Sequence, residues 1–166
     1  MLTVTAPKPT TAPAASAPPR AAVTPELQHA IEQLLFRQAD SLDGKRWQEF
    51  IDLFAADGIY WVPAEPDQTT GDGAPSIFYE DRALMTVRMK RIHHPRAWSQ
   101  KTEWGTSHVV SNVIVERHDA ATGAIVCRSR FYMMEFRRDA VRHFSGTYTH
   151  HLRKTPEGFR IVLQRV

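Results

Sequence analysis

The run Thr106-Ser107-His108-Val109-Val110-Ser111-Asn112-Val113-Ile114-Val115-Glu116 decides how the rest of the chain is read. It is β-branched, nearly continuous in valine and isoleucine, and free of glycine and proline, a composition that suits a pleated surface buried on at least one side. Strict alternation puts Ser107, Val109, Ser111, Val113 and Val115 on one face and His108, Val110, Asn112 and Ile114 on the other. Neither face is purely apolar, so each is expected to meet another protein layer. The run also opens a series of strand-like segments that reaches the last residue. What precedes it reads as helices made to cover a curved sheet.

At 166 residues, the chain has room for one domain with a proper core. Hydrophobic residues at 42% and charged residues at 23% are ordinary for a soluble globular protein. No apolar run approaches the ~20 residues of a membrane helix, and no charged start followed by an apolar stretch marks a secretory signal. Cys127 is the single cysteine, so an internal disulfide framework is excluded. It also excludes an iron–sulfur cluster held by this chain alone, since even a Rieske centre needs two cysteines and two histidines. A reducing, cytoplasmic compartment is the expectation. The net charge of +3 hides an asymmetry: residues 1–81 hold 5 Lys/Arg against 12 Asp/Glu, and residues 82–166 hold 16 against 6. If that polarity survives in space, it suits docking on a charged partner surface. Nucleic acid fits less well, because the arginines are scattered singly along strands without a basic run or recognition helix.

Residues 1–23 are Ala/Pro/Thr-rich, with Pro7, Pro9, Pro13, Pro18 and Pro19, and read as an extended arm that cannot build a core. A single domain is expected over residues 24–166. Thr24 caps a first helix with Pro25 in its first turn. Leu27, Ile31, Leu34, Leu35 and Leu42 form its apolar stripe, and Asp43-Gly44 stops it. A short second helix carries Trp47, Phe50, Ile51 and Phe54. After a turn at Ala56-Asp57-Gly58 come a short strand, Ile59–Val62, and a loop over residues 63–75. A third helix is expected from Ser76 to Arg91 with Ile77, Leu84 and Val87 inward, followed by a connector holding Trp98 and Trp104. Strands at 106–117, 124–137, 141–153 and 159–166, joined by short turns, make an antiparallel meander. The whole is α+β, with helices segregated on one face of a cone-like sheet.

A cone has an interior, and the polar candidates to line it are His108, Asn112, Tyr132, Tyr148, His150, Asp40, Asp52 and Tyr60. A histidine with an aspartate or tyrosine in an apolar pocket is a workable acid/base set. The simpler expectation is that His108 and Asn112 satisfy each other or nearby backbone. A metal site is not expected: His93-His94 and His150-His151 are adjacent pairs, and no His-x-His strand or His-Glu-x-x-His helix is present. Arg128, Arg130 and Arg142 fall on central strands and require partners, with Glu135 the obvious local one. Cys127 reads as a small core hydrophobe.

The chain resembles the small (β) subunits of Rieske-type aromatic-ring-hydroxylating oxygenases over about Pro25 to Val166. The resemblance is carried by Leu42-Asp43, Trp47…Phe50…Leu53-Phe54, Tyr60-Trp61-Val62-Pro63, Tyr79-Glu80-Asp81-Arg82, Arg88 and Arg91. It continues through Ser107-His108-Val109-Val110-Ser111-Asn112-Val113 and Phe144-Ser145-Gly146-Thr147-Tyr148. It implies a cone-like fold of the nuclear-transport-factor-2 (cystatin-like) type. It further implies a hexamer of three small and three large subunits, in which the large subunit holds the Rieske [2Fe–2S] cluster, the mononuclear iron and the pocket where an aromatic substrate is dihydroxylated. This chain would then be mainly structural, with no catalytic, cofactor or metal site of its own. The tryptophan-bearing connector is more similar to benzoate-type members than to hydrocarbon-type ones, which points to an aromatic acid. Arg117, Arg128, Arg130, Arg137, Arg138 and Arg142, on neighbouring strands, are the expected contacts with the large subunit and with other copies of this chain. The resemblance leaves no role for nucleic acid or membrane.

The rival is a free-standing lyase or isomerase of the same fold, using His108 with aspartate and tyrosine groups. Where an isomerase of this fold has its general-base aspartate, before the proline of the first strand, this chain has Val62. Where a dehydratase has its second histidine, it reads Arg130-Phe131-Tyr132-Met133-Met134. A non-catalytic transport or scaffold domain is a third reading.

Overall fold

Helix α1 begins where Thr24 and Pro25 place it. In a computed structural model, which describes residues 22–97 and 102–166, it runs Pro25–Asp43, and Thr24 Oγ1 accepts a hydrogen bond from the Leu27 amide at 3.2 Å. The arm expected over residues 1–23 lies, up to residue 21, outside the described residues, as does Trp98. Ile31, Leu34 and Leu35 are fully buried. The helix stops at Asp43, but the left-handed residue that turns the chain is Lys45 (φ 55°) rather than Gly44.

Helix α2 (Trp47–Asp52) leads into β1 (Phe54–Pro63), and here the structure corrects the sequence reading. Phe54 belongs to the strand, and Ala56-Asp57-Gly58 is a bulge within it rather than a turn before it; the register slips between Phe54 and Ile59. Gly58 fits there because a Cβ would stand 2.7 Å from the Ile161 carbonyl. A second correction concerns residues 76–81, which form strand β2 (Ser76–Asp81), paired antiparallel with β1. Helix α3 therefore starts only at Arg82 and runs to Ile92, with Asp81 as its N-cap accepting from the Leu84 amide at 2.8 Å. The later start rotates the inward stripe to Met85 and Met89, and Ile77, Leu84 and Val87 are exposed instead of inward.

Four long strands follow: β3 (Trp104–His118), β4 (Ile125–Arg137), β5 (Ala140–Thr155) and β6 (Gly158–Arg165). They form the expected antiparallel meander. The six-stranded sheet has the order β2-β1-β6-β5-β4-β3, and only the β1–β6 pair is parallel. The helices cover one face. The core joins Ile31, Leu34 and Leu35 to Ile51, Phe54, Met85, Val115, Ile125, Cys127, Leu152 and Ile161.

Strand β3 does not alternate as strictly as its composition implied. Asn112 has φ 52°, and the pairing with β4 slips between Ser111 and Ile114. One extra residue reverses the parity of Val113, Ile114 and Val115, and a second slip between Val115 and Arg117 restores it for Arg117. Val110 thus shares the helix-covered face with Val113 and Val115, whereas Val109 and Ile114 face out. Without the bulge, Val113 and Val115 would be turned from the core. Asparagine tolerates this conformation because its short polar side chain escapes the crowding a β-branched residue meets there. Asn112→Gly should leave the unfolding free energy within ~0.5 kcal/mol of the parent, whereas Asn112→Val should lower it by about 1–2 kcal/mol in urea denaturation.

Candidate functional site

The strongest polar junction on the inner face joins the last residue of α1 to the start of β3. Asp43 Oδ2 accepts from the His108 amide at 2.7 Å, and Oδ1 accepts from the Thr106 hydroxyl at 2.8 Å and lies 2.5 Å from His108 Nδ1. Facing a carboxylate, Nδ1 carries the proton and donates. A carboxylate at a helix C-terminus meets the negative end of the helix dipole; three donors from one strand offset that cost. The His108 side chain is 7% exposed and its face toward Asp43 is occupied. Lys45 adds a second clasp, donating to the Trp104 carbonyl at 2.6 Å with its ammonium 4.2 Å from the Trp104 ring, and that ring stacks on Trp47.

Deeper in the cone runs a thread of neutral polar groups. His150 Nε2 donates to Gln38 Oε1 at 3.1 Å, and Gln38 Nε2 donates to Gln164 Oε1 at 2.7 Å. All three residues are buried. Burial drives the His150 imidazole down to a pKa of about 3, with the neighbouring His151 adding to it, so the ring stays neutral. Its Nδ1 and the Ser129 hydroxyl are buried with no protein partner. Tyr148 stacks on Phe131 with ring centroids 4.2 Å apart, and burial pushes its hydroxyl pKa up. Gly146 makes room for that stack: a Cβ would stand 2.8 Å from the Phe131 ring. Burial also raises Tyr60 to about 12, helped by the charge of Glu80. Cys127, fully buried and raised to about 12 by burial, is a core thiol without reactivity.

Of the eight candidates read from the sequence, the structure brings His108, Tyr60, Tyr148 and His150 to the inner face and leaves four outside. Asp40 and Asp52 sit on the surface, paired with Arg46 and Arg82. Tyr132 is on the outer face, its hydroxyl 2.5 Å from His143 Nδ1. Asn112 is exposed on the bulge, so it cannot satisfy His108. Asp43 fills that role; the sequence showed it only as a helix stop. Histidine and tyrosines are thus present inside the cone, yet the histidines are a clamped ring and a neutral buried one. Among the described residues, no group of three or more His, Cys, Asp or Glu could hold a metal.

The six arginines divide between the two faces and a turn. Arg128 donates to Glu116 at 2.7 Å and Arg130 to the Thr147 hydroxyl at 2.6 Å, both with Arg117 on the outer face. Arg142 meets the expected Glu135, Nε donating at 2.9 Å, and its strand position shares the inner face with Arg137. Arg138 occupies the β4–β5 turn with φ 55°. Around the outer-face arginines stand exposed Val109, Ile114, Tyr132, Met134, Phe136 and Val141.

Residues 37–166 match the family described as the ring hydroxylating beta subunit. The chain belongs to that family. It is 32% identical over 158 residues to the chlorobenzene dioxygenase subunit beta of Cupriavidus sp. (strain PS12), covering 86% of this chain and 81% of the relative. It is 32% identical over 126 residues to the toluate 1,2-dioxygenase subunit beta of Pseudomonas putida, covering 71% and 75%. Its backbone superposes on the crystal structure of the beta subunit of the benzoate 1,2-dioxygenase from Burkholderia mallei ATCC 23344 with a TM-score of 0.71, 23% identity and coverage of 88% and 91%. The fold is therefore the nuclear-transport-factor-2-like cone, as expected. Beta subunits are the non-catalytic components of multi-subunit aromatic-ring-hydroxylating dioxygenases and partner with alpha subunits. The free-standing lyase or isomerase reading is not favoured. No helix among the described residues is long and apolar enough to cross a membrane.

Two outcomes follow from this interior. Asp43→Ala leaves the Thr106 hydroxyl and His108 amide short of an acceptor and should cost about 2–3 kcal/mol of stability, whereas His108→Ala retains both bonds and should cost about 1–2 kcal/mol. Turnover per assembled complex should be unchanged in His108→Ala; a thousandfold loss would mark an acid/base role. His150 gives a pH signature. Its folded pKa is depressed, so between about 6.5 and 3 the unfolded chain binds a proton that the folded chain refuses, and stability falls as pH drops through that window. Comparing unfolding free energies at about pH 6 and 4, the parent should lose about 1.4 kcal/mol per pH unit more than His150→Gln.

Proposed function

We propose that this chain is the small subunit that holds together a hexamer of three small and three large subunits. The large subunit carries the Rieske [2Fe–2S] cluster and mononuclear iron, and dihydroxylates an aromatic substrate in the cytoplasm. The observation that carries the reading is the outer face of β3–β5. Apolar side chains stand exposed there beside Arg117, Arg128 and Arg130, while the helices already cover the opposite face. A monomer rarely leaves such a patch uncovered. Arginine suits its rim, because its planar fork pairs with carboxylates in two-bond geometry and is more weakly hydrated than lysine. By their names, the relatives serve both an aromatic acid, toluate, and a neutral ring, chlorobenzene. The tryptophan-bearing connector favours the acid.

Arg137, Arg138 and Arg142 gather where β4 turns into β5 and extend the same contact around the sheet end. Truncating one member of a desolvated charge pair costs ~2–5 kcal/mol. Co-expressed with its large subunit, the Arg128→Ala/Arg130→Ala double variant should give smaller species than the parent in native mass measurements at low concentration. Normal assembly of that variant would place the interface elsewhere.

A further inference from the structure

Between α2, α3 and the β1–β2 hairpin lies a half-open cavity of ≈ 210 Å³. Its walls are Trp47, Phe50, Tyr60, Phe78, Met85 and Met89, and nearly all of the lining surface is apolar. Two charged residues, Glu80 and Arg88, also belong to its lining, and they satisfy each other. Arg88 Nε donates to both Glu80 oxygens, at 2.9 and 3.1 Å, and an Arg88 terminal nitrogen donates to Glu80 as well. The Arg88 guanidinium also lies over the Phe78 ring at 4.2 Å, so one face is covered by an aromatic.

We propose that this cavity is a binding site for a small uncharged molecule built on one aromatic ring. The size decides the first part. An apolar cavity of roughly 150 Å³ is enough to stay dry and take up benzene, so this one has space for a ring with a substituent. The lining decides the second, since aromatic faces and edges and two methionine thioethers are favourable neighbours for a flat ring. The ion pair decides the third. A carboxylate guest would find Arg88 already engaged and the buried Glu80 carboxylate beside it. An ammonium guest would find Glu80 taken. Either would be dehydrated without a free counter-charge. Every wall belongs to this chain, so the site stands whether or not the proposed assembly does.

The test uses the full chain carrying ¹³C-methyl methionine, with toluene and benzoate as probes. Toluene should move the Met85 and Met89 methyl signals saturably and leave Met134, on the outer face, unmoved; benzoate should need at least about ten times the concentration. Filling the cavity by Met89→Trp, or by Ile92→Phe at its wall if the first fails to fold, should weaken toluene at Met85 at least about tenfold. Glu80→Gln releases Arg88 and should move the preference toward benzoate by a similar factor. The proposal is overturned by any of three results: no saturable shift, benzoate matching toluene in the parent, or toluene binding unchanged in the filled variant that folds.

Discussion

The carboxylate of Asp43 fixes the relation between the helix layer and the edge of the sheet. It is the last residue of α1, and its donors come from a strand more than sixty positions away in the chain. Hydrophobic packing alone leaves a helix free to slide along a sheet, because apolar contacts lack direction. Three hydrogen bonds to one carboxylate, made by a hydroxyl, an amide and an imidazole of a single strand, admit one position. That placement puts Trp47 and Trp104 in contact and lets Lys45 reach the Trp104 carbonyl. It also gives the histidine inside the cone a structural partner. A ring whose Nδ1 proton is committed to Asp43, and whose side chain is almost wholly buried, serves the junction.

The cone interior shows the same logic at greater depth. His150, Gln38 and Gln164 are linked to each other as neutral groups, which costs far less than burying charges and still gives direction to the packing between α1, β5 and β6. Tyr148 and Tyr60, both pushed toward high pKa by burial, stay protonated. An acid/base enzyme needs pKa values drawn toward neutrality. Here burial drives the histidine and the tyrosines away from it in opposite directions. Burial holds each of these groups in one protonation state, which agrees with the non-catalytic role of beta subunits in this family.

What could be read from the sequence was what depends on neighbours along the chain. Thr24-Pro25 and the Leu27–Leu35 stripe fixed α1 because capping and helical spacing are local. The meander was visible because β-branched runs alternate with short polar turns. The misreadings have physical causes. Ile77, Leu84 and Val87 happen to fall at helical spacing, while the actual strand, Ser76–Asp81, is too short to outweigh it. Only Asp81, a good N-cap, marked the later start. The bulge at Asn112 switches the faces of Val113, Ile114 and Val115, yet its sole trace is an asparagine in a valine-rich run. Asp43 with His108, and Gln38 with Gln164, are pairs set by the tertiary fold. No spacing rule reaches them.

The charge asymmetry between the two halves of the chain bears on the proposed assembly. Some of it is consumed inside the domain: Arg153 grips Asp57 through two nitrogens at 2.9 and 2.8 Å, and Arg82 takes Asp52 at 2.7 Å. Asp40 and Glu49 stay with the helices, paired with Arg46. On the outer face of the meander, Glu116 and the Thr147 hydroxyl are the recorded partners of Arg128 and Arg130. Exposed ion pairs of that kind contribute little to the stability of a lone domain. If the proposed interface lies here, the same arginines, set among Val109, Tyr132 and Phe136, gain strength once a partner excludes water and supplies carboxylates.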